Sequence, residues 1–241
     1  MLVKTRGVVL HTIAYNDTYS IIHVYTEAFG RASYLVPRKR GKKAALSKAL
    51  FIPLSVIEME VEHLNKRDLH RVKETRICFP QTEIYCNPIK NIVALFLAEV
   101  LFRVVKDTEP DPPLFGFLYS SIQLLEIAEE GVANFHIVFL LRLLTHLGIF
   151  PNTQESRNSG YFDMLNGIFV NAIPPHRHFL SHEESETFAR LLRISFENMS
   201  LYSFSRHERV NIVNRIIEYY RLHLPEFPEI KSVSIMQSLF D

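Results

Sequence analysis

Apolar and polar side chains alternate through the first eighty residues, and the apolar set is rich in β-branched and aromatic types. A period of two puts successive side chains on opposite faces of a pleated strand, so the pattern predicts strands rather than helix. Five are expected, at 3–13, 19–26, 31–36, 54–61 and 68–74. Asn16-Asp17, Phe29-Gly30 and the charged stretch about Asn65 supply the turns. Five short strands at hairpin spacing predict a small barrel. Segment 38–49 breaks the alternation and reads as a long connection, with a helical turn expected at 44–50.

From residue 89 the period lengthens. Apolar side chains at helical spacing predict helices at 89–105, 114–129 and 133–147, separated by Pro110, Pro112 and Pro113, then by Gly131, and closed by Gly148 and Pro151. These helices are apolar on more than one face, as the centre of a bundle is. Periodicity fails over 152–180, which reads as a polar loop, a hairpin about Leu165-Asn166-Gly167 and a Pro-Pro stop. Capping boxes at Ser181/Glu184 and Ser205/Glu208 then start helices expected at 183–198 and 206–224. The fold class is therefore α+β, a strand-built region over 1–80 followed by a helical region over 81–241 with 152–180 inserted in it.

Composition narrows the setting. A chain of 241 residues, 47% hydrophobic and 22% charged, can bury a sizeable core and is long enough for two domains. The N-terminus lacks the apolar stretch of a secretory signal, and the most apolar window, 92–105, is short for a bilayer and carries Glu99 and Arg103. A cytoplasmic protein without a membrane span is expected. Cys78 and Cys86 read as two ordinary thiols in preference to one disulfide. The net charge of +1 hides an asymmetry: residues 1–80 hold 14 Lys+Arg against 7 Asp+Glu, while 81–241 hold 13 against 19. A basic half of this kind suits a polyanionic partner.

The cations concentrate in one run, Arg31, Arg38, Lys39, Arg40, Lys42, Lys43 and Lys48, with no acidic residue between Ala28 and Ile57. Fixed cations along an extended loop displace the counterions condensed on a phosphate backbone, the term that supplies most sequence-independent affinity for nucleic acid. Tyr15, Tyr19, Tyr25, Phe29 and Tyr34 stand on the neighbouring strands. Aromatic faces beside a cationic groove suit single strands, because every base can stack. The expected nucleic-acid contacts are Arg31, Tyr34, Arg38, Lys39, Arg40, Lys42, Lys43 and Lys48. The competing readings are a solvated loop that only raises solubility, and a non-catalytic adaptor whose basic half binds an acidic protein.

Catalytic chemistry finds little support. There is no GxSxG, no Walker-type GxxxxGK[ST] and no GxGxxG opening a helix. Glu58, Glu60 and Glu62 share a strand face, either as an exposed barrel surface or as a magnesium cluster serving a nuclease. His176-Arg177-His178 offers two ligands, short of the four donors of a structural zinc site. No catalytic residue, cofactor or metal is expected. In the helical half, NFHIVFLLRLLTHLGIF carries more apolar side chains than one core face needs. The surplus is either buried or forms a groove for a partner peptide, with Arg142 a clamp for a terminal carboxylate or a snorkelling surface residue.

The order and spacing of these features resemble a known family. Thr5-x-Gly7-Val8-Val9-Leu10, Tyr15-x-Asp17, Ile21-Ile22, Thr26, Gly30, VPRKRGKK with Ser47, Leu50-Phe51-Ile52-Pro53-Leu54 and Arg67-Asp68-Leu69 look like the N-terminal part of the RecO family of recombination mediators. AEVLF, EEGVANFH and LRLLTHLGIFPN are similar to its helical part, so the resemblance spans nearly the whole chain. It implies an oligonucleotide-binding (OB) barrel over 1–80 that holds single- and double-stranded DNA, and a helical domain over 81–241. It also implies annealing of complementary strands, and action with RecR to load RecA on DNA covered by single-stranded-DNA-binding protein. That protein's acidic, apolar C-terminal tail is an implied partner whose pocket falls on no named residue, and the implied location is the nucleoid. Many members carry a four-cysteine zinc module where 152–180 stands, and this segment has no cysteine. Asn152, Asn158, Ser159, His176 and His178 lie near the ligand positions without completing a site, so a metal-free loop and hairpin is expected.

Overall fold

The computed structural model describes residues 2–38, 49–64, 67–153 and 160–233. Five strands, β1 (Leu2–Ala14), β2 (Tyr19–Thr26), β3 (Gly30–Pro37), β4 (Val56–Glu62) and β5 (Leu69–Ile77), close into a barrel in the order β1-β2-β3-β5-β4. They stand where the alternation places them. The long β1 serves two neighbours: Leu2 to Val8 pair antiparallel with β4, and Gly7 to Ala14 pair antiparallel with β2. Gly7 occupies the overlap, where an added β-carbon would run into Val24 Cγ1, so the crossing requires glycine. A bulge between Val9 and His11 adds twist. Closure comes from a parallel pairing of Ser33 to Leu35 on β3 with Leu69 to Arg71 on β5. Val9, Ile22, Val24, Tyr34, Val36, Ile57, Met59 and Val61 point inward and form the barrel core.

Three helices follow, α1 (Thr82–Cys86), α2 (Pro88–Val104) and α3 (Pro112–Ile127). Prolines open the two long ones behind capping side chains: Asn87 accepts the Ile89 and Lys90 N–H groups, and Asp111 accepts that of Leu114. The five-residue α1 is too short to leave a periodic signal. Buried Lys90 donates to the Glu126 carbonyl at 2.7 Å, while the Glu126 carboxylate accepts the Glu83 and Ile84 N–H groups at 2.9 Å. One residue at the end of α3 thus satisfies open groups of α1 and is itself capped from α2.

The chain forms two compact units, Met1–Ala128 joined by the segment that begins at Ile230, and Glu129–Glu229. The change from strands to helices at residue 81 falls inside the first. The return segment is tied there by Glu99, whose carboxylate accepts the Lys231 and Ser232 N–H groups at 3.0 and 2.8 Å.

In the second unit α4 (Val132–His146) buries ten of its residues, as its all-round apolar pattern requires. A three-stranded sheet, β6 (Tyr161–Asp163), β7 (Ile168–Val170) and β8 (Phe179–Leu180), has the order β7-β6-β8. The expected hairpin joins β6 to β7, with Gly167 at φ +65°. Both capping boxes are formed, at the starts of α5 (His182–Leu191) and α6 (Arg206–His223). α5 ends seven residues before the expected 198. Arg193 and Ile194 N–H groups bond three residues back, the Asn198 side chain takes the Ser195 N–H, and Arg142 takes the Ile194 carbonyl, so the backbone finds partners outside a helix.

Candidate nucleic-acid interface

The turn between β1 and β2 is built on one asparagine. Asn16 Oδ1 accepts the Thr18 and Tyr19 N–H groups at 2.9 and 2.8 Å, while the Tyr15 and Asn16 N–H groups both reach the Tyr19 carbonyl at 3.1 Å. The turn therefore holds Tyr15 and Tyr19 at fixed positions, 61% and 37% exposed. Arg38, just past β3, donates its N–H to the Thr18 carbonyl at 2.7 Å and its Nη1 to the Asn16 carbonyl at 3.0 Å. Its exposed guanidinium is thereby tied to the turn that carries the two tyrosines. Two aromatic faces next to a cation can stack bases and offset a phosphate.

Lys39, Arg40, Lys42, Lys43 and Lys48, expected to contact DNA, lie outside the described residues, as does most of the helical turn expected at 44–50. Arg38 marks where the chain enters that run.

Two expected contacts point elsewhere. Tyr34 has no exposed surface and sits in the barrel core between Ala32 and Val36, so its ring is unavailable to a base; burial pushes its hydroxyl pKa up. Tyr25 is likewise buried, with its hydroxyl pushed up to about 12 by burial. Arg31 turns toward the end of α2, where Nη1 donates to the carbonyls of Phe102 and Val105 at 2.8 and 3.0 Å. Desolvation, then the neighbouring Arg103, lower its pKa.

The acidic trio is a paired barrel surface. Glu58 receives Arg76 Nη2 at 2.7 and 2.8 Å, and the β1–β4 register sets Lys4 opposite Glu60 and Arg6 opposite Glu58. Arg6 forms an ion pair with Glu27 at 2.6 Å and lies 5.0 Å from the Tyr119 ring centroid. Among the described residues no group of three His, Cys, Asp or Glu side chains could hold a metal ion. Sequence reasoning missed Arg71 and Lys73, exposed on β5. Their signal was available, as two cations at period two on a strand.

In the second unit Asp163 organises the hairpin by accepting the Leu165 and Asn166 N–H groups and Asn166 Nδ2 at 2.8 to 3.0 Å. His176 and His178 address different carboxylates, Asp163 at 3.3 Å and Glu218 at 3.4 Å. Arg142 is engaged by the Ile194 carbonyl. A cavity of about 230 Å³ lies between α5 and α6, lined by Leu180, Phe188, Leu191, Phe204 and Ile212 and by the charged side chains of Glu183, Glu184, Glu208, Arg190 and Arg215. Cys78 and Cys86 are both free thiols, Cys78 half-buried with its pKa raised by burial. No described helix is long and apolar enough to cross a membrane.

Comparison with known proteins bears on both units. Residues 1–80 match the family model described as Recombination protein O N terminal, and residues 87–232 match Recombination protein O C terminal. The chain is 45% identical to a protein of Azobacteroides pseudotrichonymphae, 42% to one of Phocaeicola vulgatus and 43% to one of Bacteroides fragilis. Each match covers all of both chains, and each relative is named DNA repair protein RecO.

Proposed function

The chain belongs to the RecO family of DNA repair proteins, and from that premise we propose that it binds single- and double-stranded DNA and anneals complementary strands. On this reading residues 1–80 hold DNA and 81–241 serve a protein partner. The observation that carries it is the β1–β2 turn, where Tyr15, Tyr19 and Arg38 stand together at the entry to the basic run. Annealing of this kind needs no bond-breaking residue. Cations that offset two phosphate backbones lower their repulsion, and holding both strands on one protein raises their effective concentration.

The apolar side chains of the cavity between α5 and α6 support a partner with an apolar tail end, as the C-terminus of single-stranded-DNA-binding protein has. Action with RecR to load RecA on DNA covered by that protein completes the proposal. The test is annealing of complementary oligonucleotides with the protein alone, with intact single-stranded-DNA-binding protein, and with its tail-deleted form. Acceleration that survives the intact protein and fails with the tail-deleted one is expected. A rate no faster than spontaneous pairing overturns the proposal. DNA binding detectable only at low salt favours the adaptor reading instead.

A further inference from the structure

A second site lies in the first unit, lined by none of the three residues of the β1–β2 turn. A cavity of about 570 Å³ opens beside the β2–β3 turn, among Phe29, His63, His70, Arg67 and Lys106. Its volume falls in the range of about 300–1,000 Å³ typical of small-ligand sites. Three aromatic rings form a stack in its wall. Phe29 and His63 are parallel within 2° at 3.9 Å between centroids, and His63 and His70 follow at 3.9 Å and 22°.

Packing of the barrel accounts for the rings, but the charge around them exceeds it. Arg67 and Lys106 are exposed at the cavity, Arg31 also reaches it, and Asp68 is the one carboxylate in its lining. Cations over a stacked ring wall match two parts of a nucleotide. A planar base extends the stack, and its phosphate meets Arg67 and Lys106. Burial lowers the pKa of both histidines, which keeps the rings neutral and leaves the phosphate to the outer cations.

We propose that this cavity binds a nucleoside monophosphate group, presented either as a free nucleotide or as the phosphorylated end of a DNA strand. The inference rests on the barrel as the DNA-binding part of the chain. Its test compares a 5′-phosphorylated single strand, the same strand with a 5′-hydroxyl, a circular single strand and dAMP, each titrated against the full chain and the Arg67→Ala/Lys106→Ala variant. Both substituted side chains are exposed, and circular dichroism checks the fold.

The full chain should bind the phosphorylated strand roughly tenfold more tightly than the hydroxyl strand, the worth of one charged contact. The variant should lose that difference and keep its affinity for the circle. Imidazole NMR signals of His63 and His70 should shift with the phosphorylated strand and not with the circle. Shifts produced by dAMP alone at micromolar concentration identify the free nucleotide as the source, and shifts confined to the strand identify the strand end. Equal affinity for all three DNAs, with the imidazole signals unmoved by strand and dAMP, overturns the site while leaving DNA binding intact. Failure to bind the circle at all overturns the DNA-binding reading instead.

Discussion

Arg31 holds its guanidinium 4.4 Å from the centroid of the Phe102 ring while donating to the carbonyls of Phe102 and Val105. A cation so placed closes the C-terminal end of α2 and fixes that helix to β3, within one compact unit. Arg31→Ala should therefore cost stability, about 2 kcal/mol from the lost charged hydrogen bonds and ring contact. Urea denaturation reads this. Affinity for circular single-stranded DNA should keep its dependence on salt, and a flattened dependence would return Arg31 to the DNA contacts.

Tyr15 and Tyr19 should behave differently from Tyr34. Tyr15→Ala and Tyr19→Ala leave the core untouched and should each weaken single-strand binding by about 1–3 kcal/mol if a base stacks on the ring. Tyr34→Phe, inside the barrel, should leave DNA affinity unchanged. Fluorescence anisotropy with a short oligonucleotide separates the three.

Replacing Arg38, Lys39, Arg40, Lys42 and Lys43 together by Ala should weaken binding at every sequence alike. The slope of log K against log salt should flatten by about 0.7 for each single-strand phosphate contact removed. An unchanged slope would take the run out of the interface.

His136 supplies a pH-dependent contribution in the second unit. It is fully buried, and desolvation, then Arg209, bring its pKa from the ordinary 6.5 down to about 3. Below 6.5 the unfolded chain takes up a proton that the folded one refuses. The stability contributed is thus complete above pH 6.5 and is lost as pH falls toward 3, at about 1.4 kcal/mol per pH unit. His136→Gln should unfold with a pH 7 to pH 5 difference smaller by about 2 kcal/mol than that of the native chain. Equal pH dependence in urea titrations would assign the effect to other groups.

Strand positions were legible because period two survives in β3 and most of β4, and Ser181/Glu184 and Ser205/Glu208 announced two helices by chemistry that acts over three residues. The fate of Tyr34 was legible too: Ala32 and Val36, two residues away on either side, put it on the apolar face, whereas aromatic type alone suggested a surface platform. Arg31 could not be read this way. Its partners are 71 and 74 positions away, and nothing in its neighbourhood distinguishes it from Arg38. α5 stops early for a related reason, since Arg142, remote in sequence, supplies a partner for the Ile194 carbonyl.

Glu99 and the segment from Ile230 make the first unit discontinuous in sequence, with Glu129–Glu229 of the second unit between its two parts. During translation the barrel and its three helices emerge first, yet the carboxylate of Glu99 waits for Lys231 and Ser232 until the intervening unit has left the ribosome. A fragment cut after Ala128 would leave that carboxylate without the two backbone donors and the first unit incomplete. Separating the two units at a single cleavage point would therefore damage the first, and a faithful dissection needs residues 230 onward supplied in trans or joined by a short linker.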